Sequence, residues 1–320
     1  MRRLLLLLAL SGALAGCSDS AQTTTQPAPT PPPTQASSPT TAPLSDAGFP
    51  VIVVDPTGSM TIMTQPRRII SLSATHTEIL YAIGAGDQIA ATDLTSNYPP
   101  EANDTPKVDS FAFNLEEVLA LQPDLVIVAF DFSGEVAALD AAGVNVLLMP
   151  PPTDVAKMLL QFDILGTATG NVVSARAERD RLKTAIEGFF DVYNVSDSPL
   201  TFFHEVDDTL FSVNGTTFLG DIYESFGLVN IADAAPDEFG SGFPQLSAEF
   251  ILQEDPDLIF LGDSGFGVTA GSLEERPAWD SLSAVINGTV FELDTEIAGR
   301  WGPRTDQVVR SIADALEALS

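Results

Sequence analysis

One short unit occurs twice in this chain of 320 residues, and it restricts the possible folds more than any other feature. In its first copy, Glu116 is followed seven residues later by Pro123-Asp124-Leu125-Val126. In its second copy, Glu249 is followed seven residues later by Pro256-Asp257-Leu258-Ile259. Each copy predicts a helix, a Pro-Asp turn and a buried strand. We therefore expect two similar α/β halves.

Strands and helices are predicted to alternate within each half. The unbroken apolar run Leu125–Ala129 and the short, mainly apolar segment Ile69–Leu72 are typical of strands buried on both faces. Alternation of such strands with helices favours parallel sheets that helices cover on both sides. The alternation restarts after Pro199, where Phe211–Val213 is expected to add a short strand.

A long helical segment separates the two halves. The pattern is helical from Asp154 to Tyr193, with a predicted break near Gly166–Gly170. The part after the break would run about 34 Å, longer than a typical domain helix. The predicted fold is α/β, with two doubly wound lobes joined by a single long helix and a ligand cleft between the lobes. The predicted boundaries are the first lobe at 48–170, the interlobe helix at 171–195 and the second lobe at 196–320.

The first 47 residues have the composition of an export signal and a tether. Two arginines, the apolar run Leu4–Leu10 and a series of small residues define a secretory signal, so residues 1–16 are expected to be removed. The apolar run is too short to span a bilayer as a mature helix. Residues 17–47 are rich in Thr, Pro and Ser and poor in large apolar side chains, which predicts a disordered linker.

The only cysteine of the chain is Cys17, so no disulfide can form within one molecule. The stretch Leu14-Ala15-Gly16-Cys17 resembles the bacterial lipobox. That resemblance implies diacylglyceryl attachment to the Cys17 sulfur and a lipid-anchored protein on the extracytoplasmic face of the cell membrane. The alternative is a secreted protein in which Cys17 has no such role.

Charge and residue usage exclude several function classes. A formal net charge of −30 repels phosphate backbones, which argues against nucleic-acid binding. The body has no nucleophile-elbow motif and no cysteine nucleophile, and its two histidines give no evident triad, so no enzyme is predicted. A surface enzyme or sensor on the same scaffold remains an alternative, because fold does not fix function.

Six local motifs, in order along the chain, carry a family resemblance. They are Arg68-Ile69-Ile70-Ser71-Leu72-Ser73, Thr77-Glu78-Ile79-Leu80, Tyr98-Pro99-Pro100, Asn114-Leu115-Glu116, Gln122-Pro123-Asp124-Leu125-Val126 and Gly302-Pro303-Arg304. From about Phe49 to the C-terminus the chain resembles the class III substrate-binding proteins of ABC importers. These proteins carry cobalamin, ferric siderophores or haem between two α/β lobes joined by one rigid helix.

The resemblance implies a function, a ligand class and partners. We expect a monomeric lipoprotein that binds a metal chelate, either a ferric siderophore or cobalamin, and delivers it to the permease dimer of an ABC importer. No cofactor and no metal bound directly by the chain are expected. A haem-binding member of the same fold is the alternative, with His204 or His76, alone or paired with Tyr98, as the iron ligand.

The candidate ligand-binding residues lie in loops after predicted strands, where open α/β sheets bind their ligands. These loops are rich in aromatic residues, which can bury the flat apolar face of a macrocycle or chelate. By resemblance to cobalamin-binding members, the positions that touch ligand are Thr75, Thr95, Phe111, Phe243, Glu296 and Arg300. Those members often have Tyr and Trp where this chain has Thr95 and Phe111. We add Trp301, which sits beside Arg300 in a Gly/Pro-flanked loop.

Glu116 and Glu249 are candidates for a different contact. Asn114 and Ser247 are suited to cap the two helices, which places both glutamates at the second helical position. The resemblance implies that one acidic residue on each lobe docks onto arginines of the permease dimer, and the repeated unit fits a two-fold partner. The alternative is a carboxylate that stabilises a helix N-terminus by less than about 1 kcal/mol.

Overall fold

The computed structural model describes residues 48–238 and 240–319. The predicted signal segment 1–16, the lipid site Cys17 and the predicted linker 17–47 lie outside these residues. Across the described ranges, no helix combines the length and the apolar character needed to cross a bilayer. The first element is an antiparallel hairpin of strands β1 (Val51–Asp55) and β2 (Gly58–Ile62), as the apolar runs around a Pro/Gly turn indicate.

The first lobe is built on a five-stranded parallel sheet. Its strands are β3 (Ile69–Ser71), β4 (Ile89–Asp93), β5 (Lys107–Val108), β6 (Leu125–Val128) and β7 (Val146–Leu148), in the order β5-β4-β3-β6-β7. Helices α1 (Ala74–Ala82), α2 (Leu115–Ala120) and α3 (Glu135–Ala141) connect them. The chain runs outward from β3 to β5 and returns to the other side of β3 as β6. The strand order therefore reverses between β3 and β6.

Two packed helices follow the first sheet, α4 (Val155–Thr169) and α5 (Val172–Tyr193). The break between them is confined to Gly170, whose φ is +81°, and the residue after it. The predicted start of the break at Gly166 was wrong, because Gly166 lies inside α4. A Cβ atom at Gly166 would lie 2.4 Å from the Cβ of Ala175 on α5. Gly166 therefore allows the two helices to pack closely.

The second lobe repeats the arrangement with four parallel strands. They are β8 (Thr201–Glu205), β9 (Val229–Asn230), β10 (Leu258–Leu261) and β11 (Val290–Glu292), in the order β11-β10-β8-β9. The helices are α6 (Phe218–Ser225), α7 (Ala248–Glu254), α8 (Ala270–Leu273), α9 (Ser283–Asn287), α10 (Thr295–Ala298) and α11 (Thr305–Glu317). The strand order reverses between β8 and β10, so each lobe has one switch point.

The short strand predicted at Phe211–Val213 was wrong. That segment makes a single bridge, between Phe211 and Gln245. Its neighbour Pro244 accepts a hydrogen bond from the Ser212 N–H at 2.9 Å but has no N–H to donate in return. The segment is therefore joined to its neighbour by scattered hydrogen bonds rather than by a regular strand ladder.

The repeated unit has the same hydrogen bonds in both lobes. The side chain of Asn114 caps α2 and that of Ser247 caps α7, as predicted. Asp124 accepts the N–H of Arg68 at 3.0 Å, just before β3, and Asp257 accepts the N–H of Thr201 at 2.8 Å, at the start of β8. Each Pro-Asp turn thereby fixes the start of the neighbouring strand.

The two sheets share one core. A single cluster of buried apolar residues includes Ile69 of β3, Phe202 of β8, and Leu182 and Ile186 of α5. Two further clusters cover the outer face of each sheet. The predicted fold class, two doubly wound α/β lobes joined by a long helix, is confirmed.

The close approach of α4 and α5 predicts the effect of adding one methyl group. Gly166→Ala should destabilise the protein by about 1–3 kcal/mol, because the new Cβ overlaps Ala175. Gly188→Ala is the matched control, since Gly188 lies in α5 with no atom within 4 Å of an added Cβ. That control should be neutral or stabilising by up to about 1 kcal/mol. Denaturant midpoints measure both changes, and equal shifts would contradict the prediction.

Candidate ligand-binding cleft

Two cavities open at the carboxyl ends of the sheets, where the strand order reverses in each lobe. The first cavity, of about 380 Å³, lies beyond the ends of β3 and β6 and is lined there by Leu72 and Ala129. The second cavity, of about 420 Å³, lies beyond the ends of β8 and β10 and is lined there by Val206 and Gly262. Both have five lining residues in common, Phe130, Thr295, Gly299, Arg300 and Trp301. Together they form one cleft between the lobes, at the switch points where open α/β sheets bind ligands.

All seven residues predicted to contact ligand line this cleft. The first cavity includes Thr75, Thr95, Phe111, Glu296, Arg300 and Trp301, and the second includes Phe243, Arg300 and Trp301. The chain brings them together from both lobes and from more than 200 residues of sequence. Their contact with a ligand stays a prediction.

Exposed phenylalanines give the cleft an apolar surface. Phe111 is 76% exposed and Phe243 is 45% exposed. Phe130 and Phe132 stack on each other with ring centroids 5.0 Å apart and line the first cavity. Neither residue was among the predicted ligand contacts, although both lie within four residues of the end of the buried strand β6. Flat rings exposed in a cleft suit the apolar face of a large ligand.

A buried carboxylate on α1 joins the two lobes. Glu78 is 2% exposed and belongs to the first lobe, whereas Arg300 and Arg304 belong to the second. The Nη1 of Arg300 donates to Glu78 at 2.8 Å, and Arg304 donates through Nε at 2.8 Å and Nη2 at 2.5 Å. Burial opposes the charge on Arg304, but the hydrogen bonds and charge of Glu78 outweigh it and raise the pKa of that guanidinium. This contact was not predicted, and the scarcity of arginine in an acidic chain was the available signal.

Arg300 has further partners in the first lobe. Its Nη1 also donates to Asn97 Oδ1 at 2.8 Å, and its Nη2 donates to the Thr95 carbonyl at 3.1 Å and to Glu296. Asn97 Nδ2 donates in turn to Glu296 at 3.0 Å. All four N–H groups on the terminal nitrogens of Arg300 are therefore bonded within the protein. In this structure Arg300 fixes the first lobe against the second.

The floor beneath Trp301 is held by Gln161 of α4. Gln161 Oε1 accepts the indole N–H of Trp301 at 3.1 Å and lies 3.2 Å from His76 Nε2. Burial lowers the pKa of His76 to about 4, against the opposing hydrogen bond with Gln161. His76 is fully buried and lines neither cavity. Tyr98 also lies outside both cavities, with its ring 4.2 Å from the guanidinium carbon of Arg304.

His204 is the imidazole that lines the second cavity. Its Nδ1 lies 2.9 Å from the Tyr223 hydroxyl, and burial lowers its pKa to about 4. A Cβ at Gly262 would lie 2.8 Å from the Nε2 of His204. Gly262 therefore leaves room for this ring at the end of β10.

Glu116 and Glu249 line neither cavity and are exposed at the second position of their helices. Each follows an N-cap whose side chain already accepts a backbone N–H of the helix. Their docking role stays a prediction.

Comparisons with known proteins show which molecules this chain is similar to. A family model described as periplasmic binding protein matches residues 69–297. An uncharacterized ABC transporter substrate-binding lipoprotein of Bacillus subtilis is 28% identical over 284 residues, covering 84% of this chain and 86% of the relative. A vitamin B12-binding protein of Vibrio parahaemolyticus is 27% identical over 274 residues, covering 82% of this chain and 94% of the relative. The crystal structure of the periplasmic vitamin B12 binding protein of Vibrio cholerae matches with a TM-score of 0.68 at 25% identity, covering 79% of this chain and 97% of that one.

The buried carboxylate between two arginines predicts a large effect of neutralising it. Glu78→Gln should destabilise the protein by about 3 kcal/mol, because it leaves two largely buried guanidinium groups without the carboxylate that they share. Glu187→Gln is the control, since Glu187 and Lys183 form a surface pair 3.6 Å apart with both side chains more than half exposed. The control should change stability by less than about 0.5 kcal/mol. Denaturant unfolding at neutral pH tests both, and a small loss for Glu78→Gln would disprove the assignment.

Proposed function

Since this chain belongs to the periplasmic binding protein family, we propose that it is the extracytoplasmic substrate-binding component of an ABC importer. It binds a metal chelate, a ferric siderophore or a cobalamin, between its lobes and delivers it to the permease. The observation that carries this proposal is the phenylalanine-lined cleft at both switch points. The names of the lipoprotein and vitamin B12-binding relatives support the same function.

Binding in this cleft requires no bond to be made or broken. Its walls carry aromatic rings and aliphatic side chains, and its Arg300 side chain is already hydrogen-bonded to Asn97 and Glu296. Such a surface suits reversible capture of a broad ligand with an apolar face. Both lobes share one apolar core with the long helix α5. We therefore expect the lobes to move only slightly relative to each other when they close on a ligand.

The membrane attachment is part of the same proposal. Lipid on Cys17 holds the protein, as a monomer, on the outer face of the cell membrane, and residues 17–47 form the tether. The relative from Bacillus subtilis is named a lipoprotein, which supports this attachment. A tethered binding protein stays within reach of its permease.

Haem is the second candidate ligand, and one observation favours it. His204 is a neutral, buried imidazole at the wall of the second cavity, and neutral imidazole is a ligand for haem iron. His76 and Tyr98 do not line the cleft, which leaves His204 as the candidate ligand of the three.

The exposed phenylalanines predict which truncations weaken binding. Phe243→Ala and Phe111→Ala should each lower affinity for the bound chelate about tenfold, because each removes an aromatic wall of the cleft. Phe266→Ala is the control, since Phe266 is 83% exposed but lines neither cavity. Quenching of intrinsic fluorescence reports binding, because Trp301 lines both cavities. Equal losses in all three variants would contradict the assigned site.

Glu116 and Glu249 are proposed to dock onto the permease. Both carboxylates are exposed, one in each lobe, at the same place in the repeated unit. Two like charges in pseudo-equivalent positions suit a two-fold partner with basic residues.

The docking proposal predicts loss of transport without loss of binding. The double variant Glu116→Ala and Glu249→Ala should reduce uptake at least tenfold, with chelate affinity unchanged, because its acids contact the permease and not the cleft. Glu117→Ala with Glu254→Ala is the matched control, since these acids are exposed on the same two helices. Uptake and affinity are measured on the same preparations. Normal uptake in the first variant would refute docking through these residues.

A further inference from the structure

Acidic side chains outnumber basic ones in the lining of the cleft, and the basic side chain is already hydrogen-bonded within the protein. Three carboxylates line the two cavities, those of Asp93, Glu135 and Glu296. Among the described residues, Arg300 is the only lysine or arginine that lines either cavity. The four N–H groups on its terminal nitrogens are bonded to Glu78, Asn97, Thr95 and Glu296. An anionic ligand would have to displace two carboxylates to reach them.

Two cations outside the cavity lining, Lys107 and Arg304, are also bonded within the protein. Lys107 donates to Thr92 Oγ1 at 2.9 Å and to the carbonyls of Ser96 and Ala102 at 2.5 Å and 2.9 Å, which uses its three N–H groups. Arg304 is bonded to Glu78 through Nε and Nη2 and lies over the Tyr98 ring, outside both cavities. Neither presents a free N–H to a ligand in the cleft.

Two of the three lining carboxylates, those of Asp93 and Glu135, are instead held by neutral donors. Asp93 accepts hydrogen bonds from Thr95 and Ser96, and Glu135 accepts the Ser133 N–H at 2.9 Å. His204 adds no charge at neutral pH, because burial lowers its pKa to about 4. The chain as a whole carries a formal charge of −30, which adds to the negative potential.

We infer that the cleft selects metal chelates without net negative charge, whose polar groups are amides or hydroxamates, and excludes anionic chelates. This inference rests on the proposed function and narrows its ligand class. Amide N–H groups of such a ligand can donate to Glu296, Glu135 or Asp93 without displacing a cation. Carboxylate or catecholate oxygens would face the same acids, and the terminal N–H groups of Arg300, the cation that lines the described cavities, are already bonded. Haem falls in the excluded class, since its two propionates are anionic.

A panel of ligands that differ in charge tests the inference on the full chain. Cyanocobalamin and a neutral ferric trihydroxamate chelate represent the permitted class, and a ferric tricatecholate chelate and hemin represent the excluded class. At least one permitted ligand should bind about tenfold or more tightly than either anionic ligand, given carboxylates at close range. Added salt should strengthen anion binding and leave neutral binding unchanged, since it screens the repulsion.

A charge-neutralising variant supplies the second measurement. Glu296→Gln keeps an acceptor for Arg300 and removes one negative charge from the lining, so it should raise affinity for the tricatecholate chelate about tenfold. Affinity for the permitted ligand should not rise, because a neutral amide oxygen accepts the ligand's N–H groups less strongly than a carboxylate does. Glu275→Gln is the control, because Glu275 is exposed and lines neither cavity. Anionic chelates that bind as tightly as neutral ones overturn the inference and leave the proposed function standing. Failure of all four ligands to bind overturns the proposed function itself.

Discussion

One buried carboxylate organises the contact between the lobes. Glu78 of the first lobe bonds two arginines of the second, at 2.8 Å from Arg300 Nη1 and 2.5 Å from Arg304 Nη2. Buried charges are tolerated only when they are paired and hydrogen-bonded, so the lobes cannot separate here without leaving charges unpaired. The position of Arg300 then fixes Glu296, Asn97 and the loop around Thr95. The shape of the cleft depends on this one network.

The rest of the fold keeps that contact in place. Gly166 lets α4 pack against α5, and one apolar core joins both sheets to α5. A shared core resists sliding of one lobe on the other, because close-packed interiors deform little. The cleft is therefore formed in the absence of ligand, with phenylalanine side chains exposed on its walls. Preformed walls reduce the entropy lost on binding.

The same ion pairs that hold the lobes also define the character of the binding surface. Protein acceptors bind the terminal N–H groups of Arg300 and the ammonium group of Lys107, and Glu78 pairs with Arg304. Among the described residues, the cleft lining therefore presents acids and aromatic rings but no unpaired cation. The stability of the lobe contact and the proposed ligand preference thus have one physical origin. A site that recognised anions on this scaffold would need additional basic residues or a different means of joining the lobes.

The sequence alone determined the elements and their order. Apolar runs, Pro-Asp turns and N-cap residues act locally, so the repeated unit, the strand–helix alternation and the loops around the cleft were predictable from it. Strands of two residues, β5 and β9, were not, since such runs carry no periodicity. Only the tertiary structure paired Glu78 with Arg300, which are 222 residues apart, and placed His204 at the cleft while burying His76. The reason is that the ion-pair partner of a charged side chain, and the exposure of an imidazole ring, depend on how distant elements pack together. Local sequence carries no information about that packing.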